Sequence, residues 1–233
     1  LVLRMLAAES KEWLYRIQTG RLSPDQMKNL YNNGVQKLSK LNIKFDESSH
    51  ISVRSISSKA RRLKKKGKLK MILIDYIQLM AGVEKAGNRE REIALISRDL
   101  KNLATELDVP VIVLSQLSRE GVKTVTWEYG PPASALRESG ALEQDADLVL
   151  MLWGATDQEI NQDPSLNGKR RVKIVKQRNG VVLTVELDFK NEIQLFSAID
   201  KTVPAGYKSV VEANNESRFT DNDFDPNNPF PEN

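Results

Sequence analysis

The chain has no cysteine and a single histidine, His50, among its 233 residues. Disulfides, thiolate metal sites and a histidine-rich metal centre are therefore excluded. The absence of cysteine is compatible with a reducing compartment. No apolar run is long enough to cross a bilayer. Aromatic residues make up 6%, and Trp13, Trp127 and Trp153 show no stacking pattern along the sequence. Neither sign of charge dominates. Lys and Arg number 35 against 31 Asp and Glu, a net charge of +4 that permits a nucleic-acid partner without requiring one. What the chain does have is a hydrophobic content of 40%, enough for one sizeable core with at most a small appendage.

Residues 1–18 have the periodicity of a helix, with Val2, Met5 and Leu6 on one face. This helix opens without a cap or an initiator Met, so the chain is expected to be incomplete at its N-terminus. Ser23 is placed to cap a second helix with Pro24 at its first position, and Asn32-Asn33-Gly34 weakens that helix midway. "NIKF", residues 42–45, reads as a short strand. Ser52 is a candidate cap for a helix carrying Val53, Ile56, Ala60 and Leu63 on one face. Ile93, Ile96, Leu100, Leu103 and Leu107 form an amphipathic stripe. "MILI", "VPVIVLSQ", "DADLVLMLW" and "RRVKIVKQ" read as strands. "VVLTVELDF" pairs back on the last of these through Asn179-Gly180, and "EIQLFSA" adds an edge strand. The expected fold is α/β, with a mostly parallel central sheet flanked by helices and an antiparallel hairpin extension. The Asn-, Asp- and Pro-rich residues 201–233 are expected to be disordered beyond a domain at 1–200.

In open parallel sheets ligands bind beyond the carboxyl ends of the strands. Asp75 follows "MILI", Gln116 follows "VIVL", and Lys176 and Arg178 follow "VKIV", which points to one shared rim. A strand-end Asp can hold Mg²⁺ between nucleotide phosphates, or it can simply cap a turn; taken alone, capping explains it better. A strand-end Gln can contact a γ-phosphate or satisfy loop backbone groups. Two cations before a tight turn fit a finger reaching a neighbouring subunit's phosphates, and equally a charged edge that blocks aggregation. In "ALRESGALEQDAD", Arg137 can grip a phosphate and Gly140 allows close backbone approach, for a nucleotide or a nucleic-acid backbone. The bland counterpart is a capped loop with internal ion pairs. The basic run "ARRLKKKGKLK" reads as a solvated helix end, and His50 as a loop residue.

"MILIDYIQLM", "VPVIVLSQLSRE", "LRESGALEQDADLVLML" and "KQRNG", in this order, resemble the DnaB family of replicative DNA helicases. "RMLAAES" and "TGRLSPDQ" are similar to it as well, and the resemblance extends over about residues 1–197. It implies a RecA-like motor in a homo-hexamer that encircles single-stranded DNA and moves 5′ to 3′ using ATP and Mg²⁺. It also implies primase and helicase-loader partners, and residence in a bacterial cytoplasm or a DNA-containing organelle such as a plastid. By this resemblance Asp75 is the Walker B acid that holds Mg²⁺ through water, and Gln116 is the γ-phosphate sensor. Lys176 and Arg178 match the basic pair that reaches ATP on the adjacent subunit. Arg137, Glu138 and Gly140 match a loop that follows DNA, and residues 82–89 match another central loop.

The chain also departs from the family. The phosphate-loop pattern G-x-x-x-x-G-K-[ST] does not occur in these 233 residues. Nor does the family's following strand with its catalytic Glu, or its helical domain that meets primase. Without the backbone N–H groups and Lys of that loop, the chain by itself is expected to bind ATP poorly and to be inactive. The alternative is a non-catalytic RecA-like module for DNA binding and assembly.

Overall fold

The computed structural model describes residues 1–48, 51–80, 89–123, 125–132, 135–136, 140–178, 180 and 182–199. The chain divides into two units, Leu1–Ala198 and Ile199–Asn233. The tail expected at 201–233 lies outside the described residues.

The first helical stretch is two helices, α1 (Val2–Ser10) and α2 (Leu14–Thr19), where the periodicity suggested one. Lys11 is left-handed, with φ 58°, and breaks them apart. The reason is a polar knot. The Ser10 hydroxyl donates to the Leu6 carbonyl at 2.7 Å, and Asn29 donates to the Ser10 carbonyl and to Glu12 at 2.9 and 2.8 Å. These bonds give the backbone an alternative to continuing the helix.

Ser23 caps α3 (Pro24–Asn29) in a reciprocal box with Gln26, as Ser-Pro followed by Gln at the third helical position requires. The Asn-Asn-Gly segment becomes a π turn, Leu30–Val35, before α4 (Gln36–Ser39). A Cβ at Gly34 would lie 3.1 Å from Leu6 Cδ2, so glycine lets this wide turn approach α1. "NIKF" forms no strand, and Ile43 and Phe45 are exposed. No neighbouring ladder pairs with it among the described residues, and so short an apolar run has little strand preference of its own.

Ser52 accepts from the Ser55 N–H and starts α5 (Val53–Lys65), which buries Val53 and Ala60. Its basic end is solvated, with Arg61 paired to Glu106 and Lys64 Nζ 3.3 Å from the Asp108 carbonyl. Then come β1 (Ile72–Ile74), α6 (Arg89–Leu107) and β2 (Val111–Val113). β1 and β2 are parallel, with Ile72 opposite Val111 and Ile74 opposite Val113. The whole α6 stripe is buried. Ile93, Ile96 and Leu100 pack with Ile74 and Ile77, while Leu103 and Leu107 pack with Ala60 and Val109.

After α7 (Arg119–Lys123) and α8 (Gly140–Asp145), the chain enters β3 (Leu148–Gly154), followed by α9 (Asp157–Gln162), β4 (Lys169–Gln177), β5 (Thr184–Lys190) and β6 (Leu195–Ala198). These last four strands form an antiparallel sheet in the order β3-β4-β5-β6, with the expected hairpin between β4 and β5 and the expected edge strand, β6. The tryptophans stabilise this half. The Trp153 indole donates to the Trp127 carbonyl at 3.2 Å, and the Arg171 guanidinium lies 4.2 Å over the Trp127 ring while pairing with Glu186.

One face of both sheets carries exposed large apolar side chains: Leu73 and Ile112 on the parallel pair, Leu150 and Leu152 on β3. The opposite face is the core, where Leu103 is 2% exposed against 54% for Leu150. In urea unfolding of the chain, Leu103→Ala should cost about 2–5 kcal/mol, the range for a buried leucine. Leu150→Ala should change stability by no more than about 0.5 kcal/mol. Equal losses would contradict the one-sided core.

Candidate nucleotide site

β1 and β2 end side by side, and their ends are stitched together. The Ile77 N–H donates to the Leu114 carbonyl and the Leu114 N–H to the Ile74 carbonyl, at 3.0 and 2.9 Å. Gln78, on a short 3-10 turn at Ile77–Leu79, completes the clamp. Its amide nitrogen donates to Ser115 Oγ at 3.0 Å and to the Gln116 carbonyl at 3.2 Å, and its Oε1 accepts the Gln116 N–H at 3.3 Å. Arg89, at the start of α6, donates to the Gln78 and Met80 carbonyls at 2.7 and 3.1 Å. The strand ends are therefore held from both sides.

Two groups at this rim are left presented to solvent. Asp75 is exposed and makes no hydrogen bond or ion pair among the described residues; its peptide bond to Tyr76 is cis. The Gln116 side chain is exposed while its backbone is pinned by Gln78. Asp75 thus does not cap a turn here. A single free carboxylate suits Mg²⁺, which keeps most of its water and takes one or two protein carboxylates. Among the described residues no cluster of three His, Cys, Asp or Glu forms a protein-only metal cage. A cleft of about 330 Å³ between α5 and α6, lined by Arg54, Arg61, Asp99 and Glu106, is spanned by the Arg61–Glu106 ion pair and does not include Asp75 or Gln116.

The other basic candidates lie elsewhere. β4 is not a neighbour of β1 or β2, so the three strand ends do not share one rim. Lys176 donates to the carbonyls of Glu143 and Gln144 at the C-terminal end of α8, where the helix dipole favours a cation. Arg178, just past β4, pairs with Asp147 at 3.2 Å. Asp147 also pairs with Lys101 of α6, and Ser97 donates to Asp145 at 2.7 Å. Arg89 and Lys101 are twelve residues apart on one helix, so about 18 Å of α6 separates the Asp75 rim from the Arg178 tip. Gly140 opens α8, and a Cβ there would meet nothing within 4 Å. Arg137 and Glu138, like residues 82–88 of the expected central loop, lie outside the described residues.

The model of the DnaB-like helicase C terminal domain matches residues 1–198. The chain belongs to this family. Among curated DnaB-like relatives, the replicative DNA helicase DnaB of Geobacillus stearothermophilus is 42% identical over 202 residues, covering 86% of this chain and 43% of that protein. The replicative DNA helicase DnaC of Bacillus subtilis (strain 168) is 41% identical with the same coverage. The chain thus spans less than half the length of these relatives. Of solved structures, one of an ATPase domain aligns with a TM-score of 0.77 at 34% identity, over 85% of this chain and 70% of that one. A DnaB-like replicative helicase described with its interactions with primase aligns equally well, over 47% of its own length. The fold is the RecA-like ATPase fold of the DnaB-like family.

Sequence reasoning singled out Asp75 and Gln116 but not Gln78, which pins the Gln116 backbone, or Arg89, which holds the Gln78 and Met80 carbonyls. A polar residue inside the apolar run "YIQLM" was the available signal for Gln78. It also missed Asp147 as the partner of the basic tip. The Lys101 ammonium, bonded to Asp147, together with the charges of Arg178 and Lys176, holds that carboxyl below its ordinary value of 3.8. A depressed carboxyl contributes stability above its unfolded value, and the contribution is lost as pH falls through the folded one. In an NMR titration the Asp147 carboxyl should have a midpoint below 3.8, and Lys101→Ala should raise it. A midpoint indifferent to Lys101 would contradict this linkage.

Proposed function

We propose that the chain is part of the motor of a hexameric replicative DNA helicase, which couples ATP hydrolysis to 5′–3′ movement on single-stranded DNA. The observation that carries this function is the clamped rim of β1 and β2. It presents one carboxylate and one amide, both without a side-chain partner among the described residues, just past neighbouring parallel strands in a chain 42% identical to a replicative helicase over 202 residues.

When bound, Mg²⁺ neutralises phosphate charge. Asp75 would hold that ion, directly or through water. Gln78 fixes the Gln116 backbone so that its side chain can meet the γ-phosphate or orient the attacking water. The rise of α6 between Arg89 at the rim and Lys101 at the β4 tip, about 18 Å, supports a role for Lys176 and Arg178 at a neighbouring subunit's site. The Arg178 side chain is 58% exposed and among the described residues makes only a surface pair, so it can exchange the Asp147 carboxylate for a neighbour's phosphate. The loop with Arg137, Glu138 and Gly140 follows the DNA backbone. The primase named for the structural neighbour, together with a helicase loader, is the expected partner of the complete assembly. The helicase acts in a bacterial cytoplasm or the interior of a DNA-containing organelle. The second reading is a non-catalytic RecA-like module for DNA binding and assembly.

The test is to purify the chain alone and also joined to the phosphate-loop portion of the Geobacillus stearothermophilus ATPase domain. The chain alone should show no Mg²⁺-dependent ATP turnover, and the joined protein should hydrolyse ATP. Asp75→Asn should then lower turnover roughly 100-fold, as removing one preorganised electrostatic group does. Mixed into wild-type rings, Arg178→Ala subunits should depress ATPase activity more than their proportion. An inactive joined protein would favour the non-catalytic module, and a strictly proportional loss would remove the trans role of Arg178.

A further inference from the structure

Asp147 carries two cations on one carboxylate. Lys101 of α6 bonds its Oδ2, and Arg178, just past β4, lies 3.2 Å from its Oδ1. The carboxylate is mounted from both sides. Ser97 and Lys101 are four residues apart and share a face of α6, where Ser97 donates to Asp145 and Lys101 to Asp147. On the other side Asp147 runs directly into β3, whose first residue, Leu148, pairs with Gln177. The Arg178 N–H donates to the Asp147 carbonyl at 3.2 Å, which fixes the backbone beneath the guanidinium.

The two cations are not held alike. The Lys101 side chain is 33% exposed and makes a charge-assisted hydrogen bond to the carboxylate. The Arg178 side chain is more exposed and meets Asp147 through one nitrogen, Nη1. A guanidinium grips a carboxylate or a phosphate best through two parallel N–H groups, so most of the Arg178 fork is unused. Lys176 does not compete for the carboxylate, because its ammonium donates to the Glu143 and Gln144 carbonyls. Exposed pairs such as Arg178–Asp147 are weak, and this one can open without leaving a charge alone. When Arg178 departs, Asp147 still has Lys101.

We infer that Asp147 is a positioning residue for Arg178: it stands in for a phosphate, and Lys101 keeps the carboxylate paired when a phosphate takes Arg178 away. The ligand is the end of a polyphosphate chain, whose oxygens accept the parallel N–H groups that Asp147 does not use. That this polyphosphate is a neighbouring subunit's nucleotide rests on the motor function proposed above; the exchange itself rests on the geometry at Asp147. Lys101 acts only through the carboxylate.

The test is a titration of the full chain with inorganic tripolyphosphate, read from the Nε–H resonance of Arg178 in NMR at about 0.15 M salt, where charges beyond about 8 Å are largely screened. Asp147→Asn removes the competing carboxylate and should tighten the apparent Kd at Arg178 roughly 3-fold, while Asp147→Glu should stay near the wild-type value. Lys101→Met leaves Asp147 to Arg178 alone and should weaken binding roughly 3-fold. In the Asp147→Asn background the same Lys101→Met should have little effect. A plain loss of positive charge would instead weaken binding equally in both backgrounds. Asp145→Asn removes a carboxylate bonded to Ser97 and should tighten binding less than Asp147→Asn does. Equal effects of Lys101→Met in the two backgrounds, or an Asp147→Asn protein that binds no tighter than Asp145→Asn, overturn the inference. So does an Arg178 resonance that ignores tripolyphosphate in Asp147→Asn, including the case where only the α5 lysines respond and the ion is adventitious. No ring or nucleotide is needed, so failure here leaves the trans role of Arg178 to the mixed-ring test. Exchange here with a strictly proportional loss in rings would keep the role of Asp147 and remove the neighbour's nucleotide as the ligand.

Discussion

The packing of α6 is the constraint on which the rest depends. Its buried stripe from Ile93 to Leu107 supports β1 and β2 from below, and its polar side reaches Asp145 and Asp147 beside β3. One helix therefore fixes three things together: where the parallel pair lies, where the antiparallel sheet begins, and the distance between them. The hydrophobic stripe supplies the stabilisation, since burying a leucine or isoleucine is worth about 1.5–3 kcal/mol each. The surface pairs at Lys101 and Arg178 contribute little energy by comparison but determine alignment.

From this frame follows a division of labour. The rim of β1 and β2 is pinned in its backbone, and the Asp75 and Gln116 side chains have no partner among the described residues, an arrangement that suits the proposed metal and phosphate chemistry. Gln78 spends its whole amide on that rigidity. The β4 tip has the opposite character, with basic side chains held by exchangeable partners on α8 and at Asp147.

Much of this was legible because it is local. Ser23-Pro24 with Gln26, the Ser52 cap, the stripe of α6 and the Asn179-Gly180 hairpin signal each depend on residues within one or two turns of each other. What the sequence hid is non-local. The break at Lys11 depends on Asn29 reaching back to Ser10 and Glu12. "NIKF" had the composition of a strand without a neighbour to pair with. Asp75 and Gln116 were readable as strand-end polar groups, but the shared rim was extended too far, to Lys176 and Arg178. Strand ends alone do not reveal that β4 runs antiparallel to β3 in a different sheet. Trp127, Trp153 and Arg171 showed no pattern along the chain because their stack joins a loop to β3 and β4.

The central claim is that Asp75 and Gln116 form one half of a metal–phosphate site, well away from the Arg178 tip. Manganese broadening in the NMR spectrum of the chain joined to the phosphate-loop portion of the Geobacillus stearothermophilus ATPase domain, with ATP and kept monomeric, tests it most directly. Amides of Asp75, Tyr76 and Gln116 should broaden first, while those of Asp147 and Arg178 persist. Broadening centred on the α8–β3 junction, with Asp75 spared, would contradict it.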